Sequence, residues 1–237
     1  MNPQFHHLDA VIFDCDGVLV DTERVHHAAY QHILEPLGLG FDYGAYVERY
    51  IGMDDRDCIA TAFRSAGRDI DAAELAGLID AKSKAVEQVV STRGVATFPG
   101  LISLVEELRS HQTPIAIASG SLSHEIRLYL KALGLEDAFR QIVAADHVKR
   151  SKPDPESYAK AVERLRLQPG MEGLEARRCV AIEDTPDGVE SARGAGLCVI
   201  GVTHTVNASD LSKANYVVES LTELSLSFMK RLVASCE

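Results

Sequence analysis

Short apolar runs that end abruptly in small or acidic residues recur along the chain. Ala10–Phe13 stops at Asp14-Cys15-Asp16-Gly17, Pro114–Ala118 at Ser119-Gly120-Ser121, and Cys179–Ile182 at Glu183-Asp184. Gln141–Ala144 runs into Ala145-Asp146, Cys198–Gly201 is a further run, and Tyr216–Val218 reads as an edge strand. Such runs, bounded by polar loops, predict buried strands. Helical periods lie between them. Leu101, Leu104, Val105 and Leu108 fall at i, i+3, i+4 and i+7, and Pro99 suits the first turn of that helix. Ile126, Leu130 and Leu133 share a face that closes at Gly134, a residue suited to a left-handed helix end. PESYAKAVERL and PDGVESARGAG continue the alternation. Strands that alternate with helices predict an α/β fold with a doubly wound, Rossmann-like parallel sheet.

Residues 20–97 break this rhythm. Glu23–Leu37, Tyr43–Tyr50, Arg56–Ala66 and Ala72–Val90 fit helices, and no strand interrupts them. The expected organisation is therefore an all-α insert over 20–97, hung after the first strand, with a catalytic core formed by 1–19 and 98–237. Its stems are Val20–Thr22 and Gly94–Phe98.

Composition narrows the class. At 237 residues, 46% hydrophobic and 25% charged, the chain resembles an ordinary globular protein rather than a disordered, collagen-like or coiled-coil one. Acidic residues outnumber basic ones 35 to 24, for a formal charge of −11. That balance argues against a nucleic-acid partner, which needs a basic face. It leaves room for a local basic pocket, provided something supplies positive charge. Five scattered cysteines without CxxC spacing argue against a disulfide framework or a zinc site and favour a reducing compartment. The N-terminus lacks a basic segment followed by an apolar one, and no stretch approaches the ~20 apolar residues of a membrane span. A cytoplasmic monomer without a membrane partner is expected.

Asp14 and Asp16, two apart at a strand end, repel each other and call for a cation or a shared proton. A hard divalent ion such as Mg2+ takes oxygen ligands from one or two carboxylates, water and substrate phosphate. Glu183-Asp184, a second acidic pair after a second strand, completes such a set. In a parallel sheet these loops emerge on one edge, where ligands bind at a switch in strand order. Ser119 and Lys152 reach the same edge, and a hydroxyl, an ammonium, backbone N–H groups and a metal together make a phosphate site.

FDCDGVLVDTE, the IAIASGS strand and loop, KPDPE and IEDTPDGVESARGAG follow one another in order. Together they resemble the four signature motifs of the haloacid dehalogenase-like superfamily, phosphatase branch, in which a small helical cap follows the first strand. The resemblance covers essentially the whole chain. It implies that Asp14 is the nucleophile that forms an aspartyl-phosphate and that Asp16 is the general acid/base, its carbonyl also meeting Mg2+. It makes Asp184 a further metal ligand and Glu183 a neighbour that orients the metal shell, directly or through water. Ser119 corresponds to the hydroxyl on the transferring phosphoryl group, and Lys152 to the lysine that shields Asp14 and phosphate from each other. Asp187 either assists the metal or favours a helix N-terminus electrostatically, and Thr185 reads as an N-cap. An aspartate at position 16 implies phosphate-monoester chemistry.

Within the superfamily the chain is most similar to the β-phosphoglucomutase-like group. Thr22 matches that group's hinge threonine, His26 a histidine that contacts the acid/base, and Gly52 a cap glycine beside the catalytic carboxylate. A satisfied helix histidine is the alternative for His26. Two positions depart from the group. Asp55 stands where the mutase has a phosphate-grasping arginine, and Leu122 follows Ser119-Gly120-Ser121 where the mutase has a lysine. A mutase binds two phosphates and needs that basic pair. Lys84, with Lys82 as competitor, remains as a cap cation. The resemblance therefore implies a Mg2+-dependent phosphatase of small, sugar-phosphate-like metabolites, with Gly120 and Ser121 at the phosphate. A hexose-phosphate mutase is the alternative, and a degenerate binding module is disfavoured by the intact catalytic set.

Overall fold

The computed structural model describes residues 7–51, 53 and 55–236. In chain order they form β1 (Ala10–Phe13), α1 (Glu23–Leu34), α2 (Tyr43–Arg49), α3 (Asp55–Ser65), α4 (Ala72–Arg93), α5 (Leu101–Ser110), β2 (Ile115–Ala118), α6 (Ser123–Leu133), β3 (Gln141–Val143), α7 (Glu156–Arg166), β4 (Cys179–Glu183), α8 (Pro186–Gly194), β5 (Cys198–Val202), β6 (Tyr216–Val218) and α9 (Leu226–Cys236). The chain divides into two compact units, Thr22–Val95 and the remainder.

The larger unit is an α/β fold. Its six strands are ordered β3-β2-β1-β4-β5-β6 and every adjacent pair is parallel. The four-residue apolar runs of β1 and β2 are fully buried, as a sheet covered on both faces requires. On one face Tyr158, Val162 and Leu165 of α7 pack with Ile12, Ala181 and Val199 of the strands. The strand order reverses beside β1, so the ends of β1 and β4 lie next to each other at the switch point.

The smaller unit consists of helices α1 to α4. Its core joins Tyr30 and Leu34 of α1, Tyr46 of α2, and Ile59 and Phe63 of α3. Phe41 stacks on Tyr50 with ring centroids 4.2 Å apart. Asp71 caps α4 by accepting the N–H groups of Ala73 and Glu74, both at 2.8 Å. The unit begins two residues inside the expected span at each end, because the stems pair with each other. Asp21 N–H donates to the Ala96 carbonyl at 3.0 Å, and Thr97 Oγ1 to the Leu19 carbonyl at 2.8 Å.

Several local expectations change. Helix α5 starts at Leu101 with Gly100 as its N-cap, so Pro99 precedes the cap and is not in the first turn. Helix α9 had no counterpart in the expected elements, although Leu226, Met229, Leu232 and Val233 give it a buried face at i, i+3, i+6 and i+7. Among the described residues a disulfide joins Cys198 to Cys236, against the expectation from cysteine spacing of no disulfide framework and a reducing compartment. The pair is 38 residues apart and meets because α9 packs on β4 and β5. Cys15, Cys58 and Cys179 are buried and form no disulfide. No helix among the described residues is long and apolar enough to cross a membrane.

Two substitutions test this packing in urea unfolding. Leu108→Ala empties a fully buried position of α5 and is expected to cost about 2–5 kcal/mol. Gly77→Ala lies in open space inside α4 and is expected to stabilise that helix by about 1 kcal/mol.

Candidate active site

The strand register carries Asp14 and Glu183 to one edge. Phe13 pairs with Ile182 in adjacent parallel strands, and Asp14 N–H still donates to the Ile182 carbonyl at 3.0 Å. The chain then turns sharply, and the Cys15 carbonyl accepts the N–H groups of Leu19 and Val20 at 2.8 and 3.0 Å. Gly17 has φ +74°, and a Cβ there would meet Asp184 Oδ2 at 1.8 Å. Only glycine serves both the left-handed backbone and the close approach. The DCDG loop can therefore lie against the end of β4.

The other strand ends contribute their own groups. Ser119 N–H, just past β2, donates to the Val143 carbonyl at 2.9 Å. Ser121 Oγ donates to Asp16 Oδ2 at 2.6 Å and Ser119 Oγ does so at 3.3 Å, while Ser121 N–H donates to Ser119 Oγ at 2.9 Å. Gly120 between them is exposed. Lys152 Nζ lies 2.8 Å from Asp14 Oδ1 and 2.6 Å from Glu183 Oε1. Thr185 caps α8 by accepting Gly188 N–H at 3.2 Å, as expected of it. Asp187 is exposed in the first turn of α8, outside the carboxylate cluster.

Glu183 is wholly buried and heavily engaged. Its Oε1 accepts from Lys152 and, at 2.7 Å, from the Tyr158 hydroxyl. Its Oε2 accepts Asp184 N–H at 3.2 Å and Thr185 Oγ1 at 3.4 Å. A Cβ on Gly188 would lie 2.0 Å from this carboxylate, so the start of α8 leaves room for it. Tyr158 escaped the sequence reading because helical periodicity marks it only as a buried position. Two more residues were missed. Thr205 Oγ1 donates to Asp184 Oδ2, and His204 Nδ1 donates to the Gly17 carbonyl at 2.8 Å while its ring stacks on Phe98. Both follow β5, and the rule that located the other loops, polar residues directly after an apolar run, applies to them as well.

One oxygen each of Asp14, Glu183 and Asp184 lies within 4.8 Å of the others. Burial, reinforced by Glu183 and Asp16 and opposed by Lys152, pushes the Asp14 carboxyl up from 3.8 to about 7. Burial, then Asp14 and Glu183, hold Asp184 well above the usual carboxylate range against the Thr205 hydrogen bond and Lys152. Burial works against the Lys152 ammonium, yet Asp14 and Glu183 outweigh it and raise its pKa. Asp184 Oδ1 is buried with no hydrogen-bond partner among the described residues. An all-oxygen donor set with one orphaned buried carboxylate oxygen fits a hard divalent cation.

In the helical unit, Thr22 is the N-cap residue of α1, its carbonyl accepting His26 N–H at 2.8 Å. Gly52 lies outside the described residues. Lys84 is 72% exposed and pairs with Asp80 one turn away at 2.6 Å. Lys82, the competing register, is 2% exposed and pairs with Asp55 at 2.8 Å. Asp55 also accepts the Tyr30 hydroxyl at 2.7 Å. Helix α4 runs for 22 residues, and the two lysines two positions apart fall on different sides of it.

The match to the family model described as haloacid dehalogenase-like hydrolase covers residues 11–202. The chain belongs to that family. A phosphorylated carbohydrates phosphatase of Thermotoga maritima is 31% identical over 84% of this chain and 88% of its own length. Fructose-1-phosphate phosphatase YqaB of Escherichia coli is 33% identical over 81% of this chain and 95% of its own. The crystal structure of CbbY from Rhodobacter sphaeroides in complex with phosphate is 25% identical, with a TM-score of 0.82 over 94% of this chain and 99% of that one.

The pH dependence follows from Asp14. A carboxyl whose pKa is higher in the folded than in the unfolded chain favours unfolding once it ionises. Its contribution to stability is fully present below about 3.8 and is lost as the pH rises through about 7. In a metal-free buffer, wild type is expected to lose stability relative to Asp14→Asn across that interval. Parallel urea-unfolding profiles for the two proteins would contradict this.

Proposed function

We propose that the chain is a Mg2+-dependent phosphatase that hydrolyses small, sugar-phosphate-like monoesters through an aspartyl-phosphate on Asp14. The observation that carries this reading is the meeting of Asp14, Asp16, Ser119, Lys152 and Asp184 at one edge of one sheet. The phosphorylated carbohydrates phosphatase and the fructose-1-phosphate phosphatase among the relatives support the substrate class.

Asp14 attacks phosphorus through a carboxylate oxygen while the ester oxygen departs on the opposite side. Asp16, steadied by the Ser119 and Ser121 hydroxyls, gives that oxygen its proton. Asp16 then takes a proton from water, the water oxygen attacks the acyl phosphate, and inorganic phosphate and a free Asp14 carboxylate result. Lys152 stands beside Asp14 and shields it from the incoming anion. Ser119, Ser121 and the exposed backbone at Gly120 hold the phosphoryl oxygens. Asp14, Asp184 and the Asp16 carbonyl would hold Mg2+, which would supply positive charge to the transferring phosphoryl group. Glu183, its oxygens taken by Lys152, Tyr158, Thr185 and the Asp184 N–H, acts mainly by fixing Lys152.

The helical unit serves as the cap that selects the leaving group, with Thr22 at its hinge and His26 and Gly52 among its functional residues. Its buried cation is Lys82, and Asp55 offsets that charge. A second phosphate thus finds little there, which favours monophosphate hydrolysis over the mutase reaction.

Phosphate release from a panel of phosphorylated metabolites tests the reading. Sugar monophosphates are expected to be cleaved, with activity removed by EDTA. Asp14→Asn is expected to lower kcat by at least about 10^4-fold, the scale of losing a nucleophile. Metal-independent turnover, or conversion of β-glucose 1-phosphate to glucose 6-phosphate faster than phosphate release, would overturn it.

A further inference from the structure

The strand ends opposite Asp14 frame a half-open pocket of about 890 Å³. It lies wholly within the α/β unit. Residues 7–9, 111–114 and 178 immediately precede β1, β2 and β4, so the cavity opens at the amino edge of the sheet, and α9 forms one wall. No residue of the catalytic cluster lines it.

Its charge is the reverse of the chain's. Three permanent cations, Arg178, Lys230 and Arg231, line it against one carboxylate, Asp9, in a protein of formal charge −11. That carboxylate is already occupied. Asp9 Oδ2 accepts Glu175 N–H at 2.8 Å and Arg178 Nε at 3.1 Å, and Oδ1 lies 2.6 Å from His7 Nδ1. Arg178 is further tied to the Gly173 carbonyl at 3.2 Å and to Glu175 at 3.1 Å, so it is a rigid part of the wall. Lys230 and Arg231 take part in no hydrogen bond or ion pair among the described residues. Their charge is available to a ligand. His111 also lines it, its Nδ1 donating to the Glu107 carbonyl at 2.9 Å.

The rest of the lining suits an organic ligand. Leu8, Pro114, Met171 and Leu174 supply apolar surface, and Gln112, Thr113 and Ser227 supply neutral polar groups. A volume of a few hundred to about 1,000 Å³ with apolar surface beside convergent polar groups is the size of a small-molecule site. Adjacent lysine and arginine side chains select multiply charged phosphate or carboxylate groups, the arginine through its planar fork. We infer that this cavity is a second ligand site, separate from the catalytic edge, for a small organic polyanion that couples a charged group to an apolar body.

Isothermal titration of the full chain with ADP in EDTA tests this. Without a divalent cation the catalytic edge presents Asp14, Asp16, Glu183 and Asp184 against one lysine and repels anions, so remaining binding reports on the second cavity. Wild type and Lys152→Ala are expected to bind ADP alike. The double variant Lys230→Glu, Arg231→Glu is expected to lose at least about tenfold in affinity while keeping its thermal midpoint and its phosphatase turnover. Pyrophosphate, lacking an apolar body, is expected to bind more weakly than ADP at the same site. Equal affinity of wild type and the double variant, loss of binding in Lys152→Ala alone, or no binding at millimolar ADP would each overturn the inference.

Discussion

Four ionisable side chains share the buried junction between β1 and β4, and three of them are carboxylates. Asp14, Glu183 and Asp184 approach within a few ångströms of one another around a single ammonium, that of Lys152. Like charges removed from water destabilise one another unless a proton or a cation intervenes. Much of the nearby sequence is explained by that constraint. Lys152 touches Asp14 at 2.8 Å and Glu183 at 2.6 Å and cannot satisfy all three. Burial, against the pull of Lys152, pushes the Asp14 carboxyl up to about 7, and Asp184 keeps an unpartnered oxygen. What would be a fault in a structural core is here a set of carboxylates that a hard cation would relieve, and a cation held there would draw phosphate to the same edge.

The fold supplies the geometry that sustains this arrangement. A parallel sheet points every strand end the same way, and the order β3-β2-β1-β4-β5-β6 brings two acidic loops together beside the central strand. Two glycines keep the packing open. Gly17 lets the catalytic turn pass against Asp184, and Gly188 leaves space for the Glu183 carboxylate under α8. Tyr158, His204 and Thr205 then fix the orientation of Glu183, the Gly17 carbonyl and Asp184. On the proposed function, the negative formal charge of the whole chain is no obstacle to an anionic substrate, because some of that charge would recruit a cation.

Much of this was legible in the sequence, for identifiable reasons. Buried strands are uniformly apolar and stop where polar chemistry begins, so the ends of β1, β2 and β4 announced Asp14, Ser119 and Asp184 directly. Residues that act through tertiary contacts left weaker marks. Tyr158 looks like any buried helix position, and the Cys198–Cys236 pair depends on where α9 lands. The lysines of α4 show the limit of periodicity over a long helix. Lys82 and Lys84 are two residues apart, only the packing against α1 and α3 distinguishes them, and the buried one is Lys82.

The central claim is that the buried carboxylates require a divalent cation. Thermal unfolding of wild type and Asp184→Asn, each with and without Mg2+, tests it most directly. Binding at 100 times Kd stabilises a folded chain by about 2.7 kcal/mol, or roughly 5–10 °C at this size. The account predicts a rise of that order for wild type. It also predicts that metal-free Asp184→Asn unfolds at or above the metal-free wild-type temperature and does not respond to Mg2+. A wild type indifferent to Mg2+, or an Asp184→Asn protein that is less stable without metal and still responds to it, would contradict the account.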